Sequence, residues 1–112
     1  MTIMSLIDTI CEPPWYGTIT YHECYLKSCL PLCQQIDFLK EDMLQIEFGH
    51  GYLLDVGWQP SFERDGSLKI SLIKDYQWDT PIFLAAAYTL DMLQNKIHMA
   101  LSILTPLIVH PQ

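Results

Sequence analysis

His22, Cys24, Cys29 and Cys33 bring one imidazole and three thiols into a short stretch of chain, which is the side-chain set of a structural zinc site. The spacing argues against that use. Zinc knuckles present two sulfurs from a close Cys-x2-Cys turn, whereas here the run is Cys-x4-Cys-x3-Cys, and free cysteine is among the most buried of residue types. No metal and no cofactor are therefore assigned. His22 and Cys24 would share one face of a strand, an arrangement in which an imidazole can lower a thiol pKa, but no Asn or Asp motif accompanies them. Asp55, Glu63 and Asp65 lie near enough in sequence for paired acid and base work, yet Glu63 and Asp65 sit in "QPSFERDGS", whose composition is that of a turn. There is no phosphate-binding glycine loop, no Ser-His-Asp order and no metal-binding His pair. The expectation is a protein that is not an enzyme.

The carboxylates have a second use. Thirteen acidic residues against six basic ones give a net charge of −7, and the first basic residue is Lys27. Such a field repels nucleic-acid phosphates and anionic lipid, and its natural complement is a basic protein. Asp37, Glu41, Asp42, Glu47, Asp55, Glu63 and Asp65 all fall between 37 and 65, where Lys40 and Arg64 alone oppose them. Phe38, Tyr52, Trp58 and Phe62 lie in the same stretch, with Tyr76 and Trp78 beyond it. Acids around aromatic anchors suit a basic partner, through steering by charge and burial of a few side chains. Of these, Asp37, Glu41, Asp42, Glu47, Asp55, Trp58, Phe62, Glu63 and Asp65 form the candidate contact surface.

Half of the 112 residues are hydrophobic, enough for one domain, 1–112, with a single core. Ile3, Leu6, Ile7 and Ile10 recur at helical steps until "EPPWYG" stops them, and "TITYHECYL" forms a short second element. Cys29, Leu32, Cys33, Ile36 and Leu39 predict a helix over about 29–41, with Gln34, Gln35, Asp37 and Glu41 on its wet face. The period then changes to two. "MLQIEF" and "YLLDVGW" make a hairpin through "GHG", "SLKISLI" is a third strand and "IFLAAAY" a fourth. Within the second of these, Asp55 points away from the face of Leu54, Val56 and Trp58, and Gly57 implies a bulge or a close backbone approach. From Leu90 onward Leu93, Ile97, Leu101 and Leu104 stripe a last helix that Pro106 ends. The fold class is α+β: N-terminal helices, a four-stranded antiparallel meander, and a C-terminal helix packed on the sheet.

The order strand, Gly-Trp, turn, strand, Trp and helix in "YLLDVGWQPSFERDGSLKISLIKDYQWDTPIF" and "TLDMLQNKI", residues 52–97, resembles small bacterial immunity-type proteins that neutralise toxins of contact-dependent or polymorphic toxin systems. The resemblance carries no catalytic residues. It implies a stoichiometric inhibitor, acidic because its toxin is basic, typically a nuclease. The longest apolar runs fall short of the roughly 20 residues that cross a bilayer, and the start lacks a basic signal region, so a cytoplasmic location with no membrane contact is expected. Two other readings stand behind this one: an adaptor or homo-oligomeric scaffold such as a homodimer, and a small metal or thiol protein using His22 with Cys24, Cys29 and Cys33.

Overall fold

Apolar residues at three- and four-residue steps make one sticky helical stripe, and the computed structural model, which describes residues 3–27 and 30–109, folds Ile3–Ile10 into helix α1 with Ile3, Leu6, Ile7 and Ile10 all buried. Beyond Pro13 and Pro14 the indole of Trp15 donates a hydrogen bond to Thr105 Oγ1 at 3.0 Å, fastening the end of this helix to the last one, α2, Leu90–Val109. Thr89 caps α2, its Oγ1 accepting from the Met92 N–H at 3.1 Å. Pro106 lies inside the helix rather than at its end. An internal proline costs a helix about 3 kcal/mol, and the packing of Leu107 and Ile108 on the core beyond it offsets that penalty.

Between the helices run five antiparallel strands in chain order: β1 Thr18–His22, β2 Leu44–Glu47, β3 Tyr52–Gln59, β4 Ser67–Lys74 and β5 Phe83–Ala87. The expected four-strand meander is β2 to β5. The additional strand is "TITYH", whose β-branched and aromatic side chains pair with β2 across a register shift between Ile19 and Tyr21. Leu44 and Ile46 of β2, Leu54, Val56 and Trp58 of β3, and Leu68, Ile70 and Leu72 of β4 share one core with the buried stripes of both helices. One face of the sheet is thus closed by α1 and α2. The other carries the alternate residues.

The helix expected over 29–41 does not form. The chain makes two single 3-10 turns instead, Leu32–Gln34 and Ile36–Phe38, so the N-terminal helices reduce to α1, while Cys29 lies outside the described residues. Gln35 explains the difference. Expected on a wet face, it is buried. Its side-chain oxygen accepts from the Lys27 N–H at 2.6 Å and its amide donates to the carbonyls of Lys27 and Leu30 at 2.8 and 2.9 Å. A buried amide that is fully hydrogen-bonded holds a loop conformation against a merely periodic apolar pattern.

After these turns the chain reaches β2 by riding over β3. Trp58 donates its backbone N–H to the Lys40 carbonyl at 2.6 Å, and Met43 donates to the Val56 carbonyl at 3.1 Å. Between these anchors the backbone of Glu41 lies directly over Gly57, where any Cβ would run into the Glu41 carbonyl. Gly57→Ala should therefore destabilise by about 1–3 kcal/mol, the usual cost of overpacking. Gly49→Ala, where a Cβ meets nothing within 4 Å, should stay within about 0.5 kcal/mol of wild type. Urea denaturation of both variants checks this, and equal stabilities would contradict the close approach.

Candidate functional site

Register places one row of side chains across all five strands. Tyr21 pairs with Gln45, Gln45 with Asp55, Asp55 with Ser71 and Ser71 with Leu84, and because successive residues alternate faces, the whole row stands opposite the core. The next row holds Gly57, Lys69 and Ala86. With no side chain at Gly57, the 41–42 segment folds over this face and delivers Glu41 and Asp42 beside Asp55.

The opposite wall comes from the connection between β4 and β5. Asp75 and Tyr76 adopt left-handed backbone at φ 53° and 58°, and Asp75 donates its N–H to the Gly51 carbonyl at 2.9 Å. Tyr76 then reaches back to donate its hydroxyl to Glu47 at 2.9 Å. Glu47 pairs with Leu53 and Leu53 with Ile73, so the ring lies along a row whose two apolar members are buried apart from the main core. Successive turns through Gln77 and Thr80 bring Trp78 and Asp79 to the edge of the Asp55 row.

The outcome is a cleft of about 490 Å³ with Gln45, Asp55, Gly57, Ser71 and Lys69 on its floor and Glu41, Asp42, Trp78, Asp79 and Leu84 around it. Its volume lies within the range of ligand sites. Four carboxylates face one ammonium. Lys40, the cation expected to offset the nearby acids, is bound to Glu23 at 2.6 Å. That hydrogen bond holds the Glu23 carboxyl below its usual pKa. Asp55 is half-buried and accepts from Gln45 Nε2 at 3.1 Å. Burial pushes its pKa up against the pull of Gln45, with the negative charge of Asp42 adding to the rise.

The candidate contact residues divide. Glu41, Asp42 and Asp55 converge in the cleft, while Glu47 lies further along the same face under Tyr76. Glu63 and Asp65 are exposed on the connection between β3 and β4, and Asp37 on the turn Ile36–Phe38. Phe62 is exposed, its N–H donating to the Leu39 carbonyl at 2.8 Å beside the crossing segment. Trp58 lies in the core: its ring is buried among the core residues and its indole donates to the Glu63 carbonyl at 2.7 Å. The exposed tryptophan of this face is Trp78, 49% accessible. Sequence reading missed Asp79, Lys69, Ser71 and Gln45 as members of the site. The alternation in "SLKISLI" and "LQIE" marks the strand residues as outward-facing, but only register puts them in one row.

Cys24 and His22 form no activated pair. The Cys24 thiol is buried, which raises its pKa to about 11, and His22 Nδ1 accepts the Cys24 backbone N–H at 3.2 Å. A desolvated thiol of this kind is inert. Cys33 is exposed. Among the described residues no three His, Cys, Asp or Glu side chains are placed to hold a metal, and no helix is long and apolar enough to cross a membrane.

No family model, curated protein or solved structure matches this chain.

The Asp55 carboxyl has a direct consequence for stability. Its pKa is higher folded than unfolded, so the folded state disfavours its charged form. Its contribution to stability is greatest below the unfolded value and falls as pH rises through the folded one. Asp55→Asn should therefore raise the melting temperature at pH 7, and the gain should shrink as pH falls and vanish below about pH 3, where the aspartate is largely protonated folded and unfolded alike. A variant melting lower than wild type at pH 7 would show that the carboxylate is stabilised where it sits.

Proposed function

We propose that this protein is a non-enzymatic binding module that docks a basic protein on the open face of its sheet, and that docking is inhibitory, as in an immunity-type protein holding a basic nuclease toxin in the cytoplasm. The observation that carries the reading is the cleft, where Glu41, Asp42, Asp55 and Asp79 surround the exposed ring of Trp78 with Lys69 as the single opposing charge of the lining. Charge of one sign on one face steers a partner of the other, and an exposed aromatic among the acids supplies area to bury. Inhibition follows by occlusion: the carboxylates take the positions that nucleic-acid phosphates would occupy on the partner. The net charge of −7 acts in the same direction at longer range.

The test is affinity capture from the cells that encode the protein, with wild type beside the triple variant Glu41→Lys, Asp42→Lys, Asp79→Lys. All three side chains are exposed, so the fold tolerates the change. Wild type should retain a basic protein that elutes with salt, and the variant should lose it. Capture of the same proteins by both, or of none by wild type, would contradict the proposal.

A self-associating scaffold is the second reading, favoured by β5. This edge strand carries no charge in "FLAAA", and its Leu84 is exposed; such edges template pairing with another chain. A stable homodimer in light scattering of the isolated protein would favour the scaffold over the inhibitor.

A further inference from the structure

The two edges of the sheet are unlike. At β1 the ladder to β2 slips between Ile19 and Tyr21, and the Tyr25 hydroxyl donates to the His22 carbonyl at 3.3 Å. A bulge and a side chain bonded to the rim both blunt an edge against further pairing. β5 has no such device. Phe83 to Ala87 pair with Leu72 to Leu68 in one unbroken register, and no residue from 80 to 90 is charged.

The register identifies the backbone groups left to pair. Phe48 donates its N–H to the Tyr52 carbonyl, so Tyr52, Leu54 and Val56 turn their backbone groups toward β2, and the residues between them turn theirs toward β4. Carried across β4, the same alternation turns Phe83, Ala85 and Ala87 toward β4 and leaves the N–H and carbonyl of Leu84 and Ala86 facing outward, beyond the last strand.

Side-chain size selects the occupant. In "FLAAA" two large side chains precede three small ones. Laid antiparallel against itself about Ala85, the strand sets Phe83 opposite Ala87 and Leu84 opposite Ala86, large against small, and the outward groups of Leu84 and Ala86 meet in reciprocal hydrogen bonds. A slip of one residue turns outward groups against inward ones, and a slip of two sets Leu84 against another Leu84 or against Tyr88. Ile82 and Tyr88, both exposed in the single chain, lie opposite each other at the two ends of the Ala85 register.

We infer that β5 pairs antiparallel with β5 of a second copy of this chain, about a two-fold axis at Ala85, joining two five-stranded sheets edge to edge. The inference rests on the self-associating reading above and names its interface. Both acidic clefts then open on the same side of the joined sheet. With −7 on each copy, the association strengthens as salt screens the repulsion. Docking of a basic protein responds to salt with the opposite sign.

Sedimentation equilibrium of the protein alone, with a reductant present, tests the pairing. Wild type should form a dimer that tightens between about 0.05 and about 0.5 M NaCl. Leu84→Lys, at an exposed position, should weaken the dimer at least about tenfold. Thr20→Lys, exposed on the β1 edge, should leave it intact, and circular dichroism with melting verifies both folds. Under mild oxidation Ala85→Cys should form a disulfide that mass spectrometry maps to 85–85, because the Cα atoms of such a non-hydrogen-bonded pair lie about 4.5 Å apart. A monomer at every protein and salt concentration would remove the pairing and the scaffold reading together. A dimer that survives Leu84→Lys and yields no 85–85 disulfide would overturn the pairing while the scaffold reading stands.

Discussion

The Glu41 backbone rests on Gly57, and the open face is built around that contact. Because residue 57 has no side chain, the chain leaving Leu39 can cross above β3 instead of joining the ladder directly, held by the Lys40 carbonyl on one side and the Met43 N–H on the other. Two carboxylates that a regular hairpin would direct into solvent are set beside Asp55. The crossing is anchored again through Phe62, which donates to Leu39, and through Trp58, whose buried ring packs beneath the same stretch of β3. A conformational allowance at one residue thereby concentrates charge at one place.

That concentration is stable because the two faces of the sheet are unlike. The core face is sealed by α1 and α2 with side chains that need no polar partner, which leaves the other face free to hold groups that are costly to bury. Asp55 pays part of that cost in desolvation, and Gln45 returns part of it as a hydrogen bond. Further along the face Leu53 and Ile73 lie beneath the span from Tyr76 to Glu47, so the polar cleft is bounded by an apolar end.

Much of this was legible in the sequence, for a definite reason. Period-two alternation in "MLQIEF", "YLLDVGW" and "SLKISLI" predicts strands and assigns each residue to a face, so the opposition of Asp55 to Trp58 follows directly. The stripes of Ile3 to Ile10 and Leu93 to Leu104 do the same for the helices. Illegible features depend on contacts between distant residues. Nothing local says that Gln35 bonds to Lys27 and Leu30, so its segment reads as a helix and folds as a loop. Pro106 stays helical because of what lies beyond it. Trp58 and Trp78 look alike as aromatic anchors until the turn at 75–76 exposes one and the core takes the other. The acids of 37–65 read as one surface; folding divides them, and Asp79 joins from outside the span.

We propose that the open face, with the Gly57 crossing at its centre, is where another protein binds. Hydrogen–deuterium exchange of the chain, free and with the basic protein that the proposed capture would yield, reads this directly. Exchange should slow at 41–45, 55–59, 69–71 and 77–82, with α1 and the exposed side of α2 unchanged. Protection that follows the helices and spares the crossing segment would contradict it.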